Sequence, residues 1–239
     1  MKIFAIADLH LATAPNIEKP MDIFGAGWVN HAERLRDNWI QTVADDDYVM
    51  VPGDISWGLK LEEAIPDLDW IDALPGKKIV LKGNHDLWWA STNKLNKLYE
   101  GRSLTFMKHS AYIIGDLAIC GARGWTCPGT DGFSEHDRKV YDREVLRLKM
   151  SLEEAKKNGA SQIIAMLHFP PTNDKQQGSD FTKTMSEYGV RLCMYGHLHG
   201  KNVFPHGLKG VYNGVEYRLC SLDYVDAMPQ LIYDDGKVI

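Results

Sequence analysis

The segment Ile79-Val80-Leu81-Lys82-Gly83-Asn84-His85-Asp86 decides how the chain is read. Its first three residues are apolar and two are β-branched, as in a short buried strand; Gly83 then breaks the run and three polar side chains follow. Four further segments repeat that arrangement. Ile3 to Ala7 runs into Asp8-Leu9-His10, and Tyr48 to Val51 into Pro52-Gly53-Asp54. Ile163 to Leu167 ends at His168, and Leu192 to Tyr195 ends at Gly196-His197-Leu198-His199. In α/β sheets, ligands bind beyond the carboxyl ends of the strands, so these polar residues are expected to converge although they span most of the chain.

Between the strands lie helical patterns. Trp28 to Val43 carries Leu35, Trp39 and Val43 on one stripe, and Leu61 to Leu74 carries Leu61, Ile65, Leu68 and Ile71. The longest helix is expected over Glu135 to Lys157, stopped by Asn158-Gly159. Tyr112 to Ile114, Leu117 to Cys120 and Glu216 to Leu222 read as strands with hairpin breaks at Gly115-Asp116 and Asn213-Gly214. Strands alternating with helices predict an α/β fold with added antiparallel strands. No linker or repeat divides the 239 residues, so one domain over 1–239 is expected.

The composition is that of an ordinary globular protein, with 44% hydrophobic and 25% charged residues. A net charge of -5 offers no general attraction for nucleic acid or anionic lipid, and neither is expected as a partner. Cys120, Cys127, Cys193 and Cys220 show neither metal-ligand nor disulfide spacing. With no signal-peptide core and no long apolar span, a cytoplasmic location is expected.

Asp, His and Asn without cysteine form a donor set suited to Mn, Fe, Zn or Co. The strand ends supply enough donors for two ions, and two divalent ions about 3.5–4 Å apart need a carboxylate between them. Asp54, alone after its strand, is the natural bridge. Residues two apart in an extended segment point the same way, so Asp8 with His10, and His197 with His199, can present paired donors. Gly53, Gly83 and Gly196 allow sharp turns beside them.

In this order, D-x-H, G-D, G-N-H-D, a lone His and G-H-x-H resemble the calcineurin-like metallophosphoesterase superfamily. G-N-H-D and G-H-x-H would arise together from this composition with a chance of roughly one in ten thousand. The resemblance implies a four-layer α/β/β/α sandwich with two metals at the strand ends. It implies that Asp8, His10, Asp54 and His199 hold one divalent ion, and that Asp54, Asn84, His168 and His197 hold the other. His85 is then catalytic, oriented by Asp86, and a hydroxide bridging the ions is the nucleophile on a phosphoric ester. The expected substrate is a small phosphorylated molecule or cyclic nucleotide, with monoester or diester cleavage left open and no oligomeric state indicated.

Taken singly, these residues have structural explanations: an Asp after a strand caps a turn, and a lone histidine is a hydrogen-bonded core residue. Taken together, all of them would have to imitate one metal site in the right order. The rivals are a nuclease or protein phosphatase of the same superfamily and a non-catalytic scaffold with this fold. A P-loop protein and a serine hydrolase fail for want of G-x-x-x-x-G-K-[ST] and G-x-S-x-G. His31, His109, His136 and His206 fit no motif and read as surface or structural. Leu87-Trp88-Trp89 reads as core rather than pocket wall. Gly121 to Asp137 reads as a long loop, in which Arg123 either binds a phosphate or forms a surface ion pair.

Overall fold

The continuous apolar runs become strands because each lies inside a sheet covered on both faces. The computed structural model describes residues 1–239. In chain order the elements are β1 (Ile3–Ala5), α1 (His31–Thr42), β2 (Tyr48–Val51), α2 (Leu61–Asp72), β3 (Lys77–Val80), α3 (Thr92–Leu98), β4 (Leu104–Phe106), β5 (Tyr112–Ile114), β6 (Leu117–Ala122) and α4 (Glu135–Lys157). They continue with β7 (Gln162–Leu167), α5 (Asp180–Glu187), β8 (Leu192–Tyr195), β9 (Gly210–Tyr212), β10 (Val215–Leu219), β11 (Gln230–Asp234) and β12 (Lys237–Val238).

Two six-stranded sheets result, ordered β12-β11-β1-β2-β3-β4 and β5-β6-β7-β8-β10-β9. The inner strands are parallel: Ile3 pairs with Tyr48, Tyr48 with Lys77, Leu117 with Gln162 and Ile164 with Leu192. Antiparallel strands close three of the four edges, and β4, parallel to β3, forms the fourth. The β9–β10 turn falls at Asn213-Gly214, both with positive φ (49° and 78°), which suits a tight hairpin.

Alternation along single strands builds the layers. In β7, Ile163, Ala165 and Leu167 pack towards α4 and α5, while Ile164 and Met166 face the other sheet. The inter-sheet core adds Ile3, Ala5, Met50 and Ile79 from the first sheet. On that sheet's outer face, Phe4, Val49 and Val51 meet Leu35 and Trp39 of α1 and Leu68 of α2. The order of layers is therefore α/β/β/α, as the resemblance implied.

Helix limits follow their caps. Ser134 and Asp137 form a reciprocal capping box at the start of α4, and Gly159 (φ 77°) turns the chain away at its end. The first helix starts later than the apolar stripe predicts, because Trp28 lies in a 3-10 turn over Ala26–Trp28. β6 runs on to Ala122, so the long loop is shorter than expected and spans 123–134. No helix is long and apolar enough to cross a membrane. All four cysteines are buried and unpaired, and burial pushes the Cys120 and Cys127 thiols up to about 12.

Ile164 is fully buried between the sheets, whereas Val211 on edge strand β9 is 76% exposed. Ile164→Ala is expected to lower the unfolding free energy by about 2–5 kcal/mol in a denaturant titration. Val211→Ala is expected to change it by less than about 0.5 kcal/mol. Equal effects would contradict the two-sheet core.

Candidate metal centre

Sharp turns after the strands, rather than the strands themselves, aim the donors. Asp8 and His10 are both left-handed, with φ of 61° and 45°, and their N–H groups donate to the carbonyls of Gly53 and Asp54 at 3.0 Å. An extended Asp8–His10 segment was the expectation; two left-handed residues flanking Leu9 bring the side chains together instead. Asp54 (φ 53°) and His197 (φ 74°) are left-handed too. Close approach requires glycine at two neighbours. A Cβ on Gly83 would overlap the Asp54 carboxylate, and one on Gly196 would overlap that of Asp8 and lie 2.7 Å from Ala7 Cβ.

The donors gather in two groups. Asp8, His10 and His199 form one, and Asp54, His168 and His197 the other, each with donor atoms within 4.8 Å of one another. In the first, Nε2 of His199 lies 3.4 Å from His10 Nε2 and 3.7 Å from Asp8 Oδ1. In the second, Asn84 Oδ1 lies 2.7 Å from His168 Nε2 and 2.9 Å from His197 Nδ1. Asp54 Oδ2 faces both groups, 3.9 Å from His10 Nε2 and 3.4 Å from His168 Nε2.

Hydrogen bonds on the far side of the rings fix which nitrogen faces inward. His168 Nδ1 donates to the Pro52 carbonyl at 3.0 Å, which leaves its Nε2 lone pair towards Asp54 and Asn84. His199 Nδ1 is held by Asp223 Oδ1 at 2.9 Å, whose other oxygen accepts the Gly200 N–H at 2.9 Å. Asp223 was absent from the sequence reading. It stands just beyond Leu222, where the predicted strand ended, so the rule that found the other residues would have found it one position further on.

The charges favour a cation. Burial, followed by the charges of Asp86 and Asp8, pushes the Asp54 carboxyl up to about 9. Burial lowers His168 to about 3 and His197 to about 4, so both are neutral donors at neutral pH. At His199 burial acts downward, but the Asp8 and Asp223 carboxylates outweigh it and lift the imidazole to about 10. No lysine or arginine pairs with Asp8 or Asp54; their ionic partners are histidines. Two buried carboxylates with no lysine or arginine beside them, next to the neutral imidazoles of His168 and His197, fit divalent ions.

The family model of the calcineurin-like phosphoesterases matches residues 1–201. The chain belongs to this family. It is thereby a metal-dependent phosphoester hydrolase in general kind. No curated protein matches it in sequence. Among solved structures it is similar to the phosphopantetheinyl hydrolase PptH of Mycobacterium tuberculosis, at 14% identity and a TM-score of 0.54, over 98% of this chain and 96% of that one. A protein of unknown function from Aquifex aeolicus, AQ665, matches at 15% identity and a TM-score of 0.44, over 96% and 95% of the two chains. A 5'-nucleotidase precursor from Thermus thermophilus matches at 14% identity and a TM-score of 0.42, over 82% of this chain and 41% of that one. These likenesses concern the fold.

In this calcineurin-like phosphoesterase, His85 and Asp86 part ways. The His85 backbone N–H donates to Asp54 Oδ1 at 2.8 Å, while its side chain is exposed beside Trp57 and Lys19 in a cavity of about 450 Å³. Burial, then the neighbouring His199, lowers its pKa. The expectation that Asp86 orients His85 is corrected. The Asp86 carboxylate is fully buried and accepts from the N–H groups of Gly83 (2.7 Å), Ile55 (2.8 Å), Asp54 (2.9 Å) and Ser56 (3.3 Å) and from Trp88 Nε1 (3.1 Å). It ties the two ligand loops together and leaves the imidazole alone. Trp88 is core, as expected, but Leu87 is 62% exposed and lines the cavity with His85.

Asp86→Ala removes the acceptor of five donors and is expected to lower the unfolding free energy by at least about 2 kcal/mol. His85→Ala keeps its backbone N–H and is expected to stay within about 0.5 kcal/mol of the parent. Calorimetric melting of both separates the two roles. Asp223→Ala is expected to weaken metal affinity by about 10–100-fold, read by competition with a chelating dye; unchanged affinity would show that His199 needs no such support.

Proposed function

We propose that the chain hydrolyses esters of small phosphorylated molecules at a centre of two divalent ions. Asp8, His10, Asp54 and His199 hold one ion; Asp54, Asn84, His168 and His197 hold the other. The observation that carries this reading is Asp54 Oδ2, which lies within 4 Å of a histidine from each donor group, at 3.9 Å and 3.4 Å. Both sheets supply donors, so we read residues 1–239 as one domain. Mn, Fe, Zn and Co all suit the donor set.

When bound, such ions supply Lewis acidity towards phosphoryl oxygens and an activated water. The chain's own residues do the rest. Asp8, Asp54 and Asn84 set the spacing of the centre, and the second nitrogens of His168 and His199, tied to Pro52 and Asp223, keep the ligating nitrogens inward. His85, at the mouth of the cavity, stabilises charge on the phosphoryl oxygens or donates a proton to the leaving oxygen. His197 and Phe169, with ring centroids 4.2 Å apart, line a separate cavity of about 230 Å³ that can accept a leaving group.

Elemental analysis of the metal-loaded protein is expected to find about two divalent ions per chain. Asp54→Ala is expected to weaken both sites and Asn84→Ala chiefly one; full affinity at both sites in Asp54→Ala would exclude the bridge. His85→Ala is expected to keep both ions and to slow alkyl phosphate esters by about 10²–10⁴-fold, with a far smaller effect on nitrophenyl esters, whose leaving group needs no proton. An equal loss on both would assign His85 to charge stabilisation, and loss of an ion would make it a ligand.

A further inference from the structure

A cavity of about 670 Å³ contains none of the proposed metal ligands. It lies at the carboxyl ends of β3 and β6, where Lys82 and Arg123 follow the two strands, and it reaches across to α4. Its lining brings together Lys82, Lys108, Arg123, Arg143 and Arg147 against one carboxylate, Glu144. In a chain of net charge -5, five cations around one cavity are a local construction.

An internal ion pair accounts for only part of it. Glu144 is 1% exposed and meets Arg147 at 2.5 Å, but Arg143 and Arg123 stand at 3.8 and 4.0 Å. Arg123 is held over the Trp125 ring, 4.7 Å from its centroid, and its buried Nε has no hydrogen-bond partner. The Glu144 Oε2 atom is also unpartnered, so even the one carboxylate does not close the network. Lys82 and Lys108 pair with no acid. Such an excess of positive charge around a cavity suits a multiply charged oxyanion.

Two residues of its lining adjoin the metal centre. Lys82 precedes Asn84 by two residues, and the Arg123 carbonyl accepts the N–H of His168 at 3.0 Å. We infer that this cavity binds a second phosphate group of the substrate whose ester is cleaved at the metal centre, which makes the preferred substrate a molecule with two separate phosphates. The inference rests on the hydrolase reading above. Arg123, for which the sequence left a phosphate contact and a surface ion pair open, then has its role in phosphate recognition.

The test uses the metal-loaded protein, with adenosine 3′,5′-bisphosphate and adenosine 5′-monophosphate as probes, bound in a calorimeter and competed against nitrophenyl phosphate hydrolysis. The parent is expected to bind the bisphosphate at least about tenfold more tightly, and the Lys108→Gln/Arg143→Gln double variant to lose about tenfold more affinity for the bisphosphate than for the monophosphate. Lys183→Gln, on the exposed face of α5, is the control and is expected to change neither. No preference in the parent, or an equal loss on both probes in the double variant, overturns the inference. Inorganic phosphate that binds the parent, is lost in the double variant and does not compete with the bisphosphate would assign the cavity to a free anion, which also overturns it. If the parent hydrolyses no ester yet binds the bisphosphate with the expected sensitivity to the double variant, the anion site stands and the hydrolase reading falls.

Discussion

Two carboxylates, Asp8 and Asp54, are buried to 0% and 1% exposure between the sheets with no lysine or arginine beside them; their ionic partners are histidines. Charges so placed are costly unless a cation joins them, and the remaining features of the site answer that cost. The Pro52 carbonyl and the Asp223 carboxylate hold Nδ1 of His168 and of His199, which turns the Nε2 atom of each ring inward. Asp86, also buried, is satisfied by N–H donors and needs no counter-ion. The contrast separates an acid that builds loops from acids whose surroundings suit a cation.

The donors divide by sheet. Asp8, His10, Asp54 and Asn84 follow β1, β2 and β3, whereas His168, His197 and His199 follow β7 and β8 of the other sheet. Each proposed ion draws on both, so neither site is complete until the sandwich has assembled. The backbone ties the sheets together at this point: the Ala7 N–H donates to the Cys220 carbonyl at 2.8 Å, and the Leu222 N–H to the Ala7 carbonyl at 3.0 Å. Metal binding is thereby linked to folding, since the unfolded chain offers no preformed set of donors.

What was legible in the sequence follows from burial. Strands covered on both faces, such as β2, β7 and β8, are unbroken apolar runs and were read with bounds correct to about one residue. The strands β4, β9 and β12 have only two or three residues and were not foreseen; nor was β11, although Leu231-Ile232-Tyr233 is an apolar run as long as that of β3. Seven residues in α3 and eight in α5 are too few for a helical period to declare itself. Residue types and their order brought the candidate metal donors to notice, but Asp86 was misread because four of its five donors are backbone N–H groups, which no sequence motif displays.

The left-handed backbone at Asp8, His10, Asp54 and His197 carries the last step. Each non-glycine residue in that region costs roughly 1–2 kcal/mol, and four such residues at one site are a local strain that the surrounding bonds must hold in place. The Asp8 and His10 N–H groups are fixed to the Gly53 and Asp54 carbonyls, and the His197 N–H to the Asp8 carboxylate at 2.9 Å. Asp86 clamps the Asp54 loop from the opposite side. The fold's own hydrogen bonds thus offset the strain that aims these four side chains at one centre.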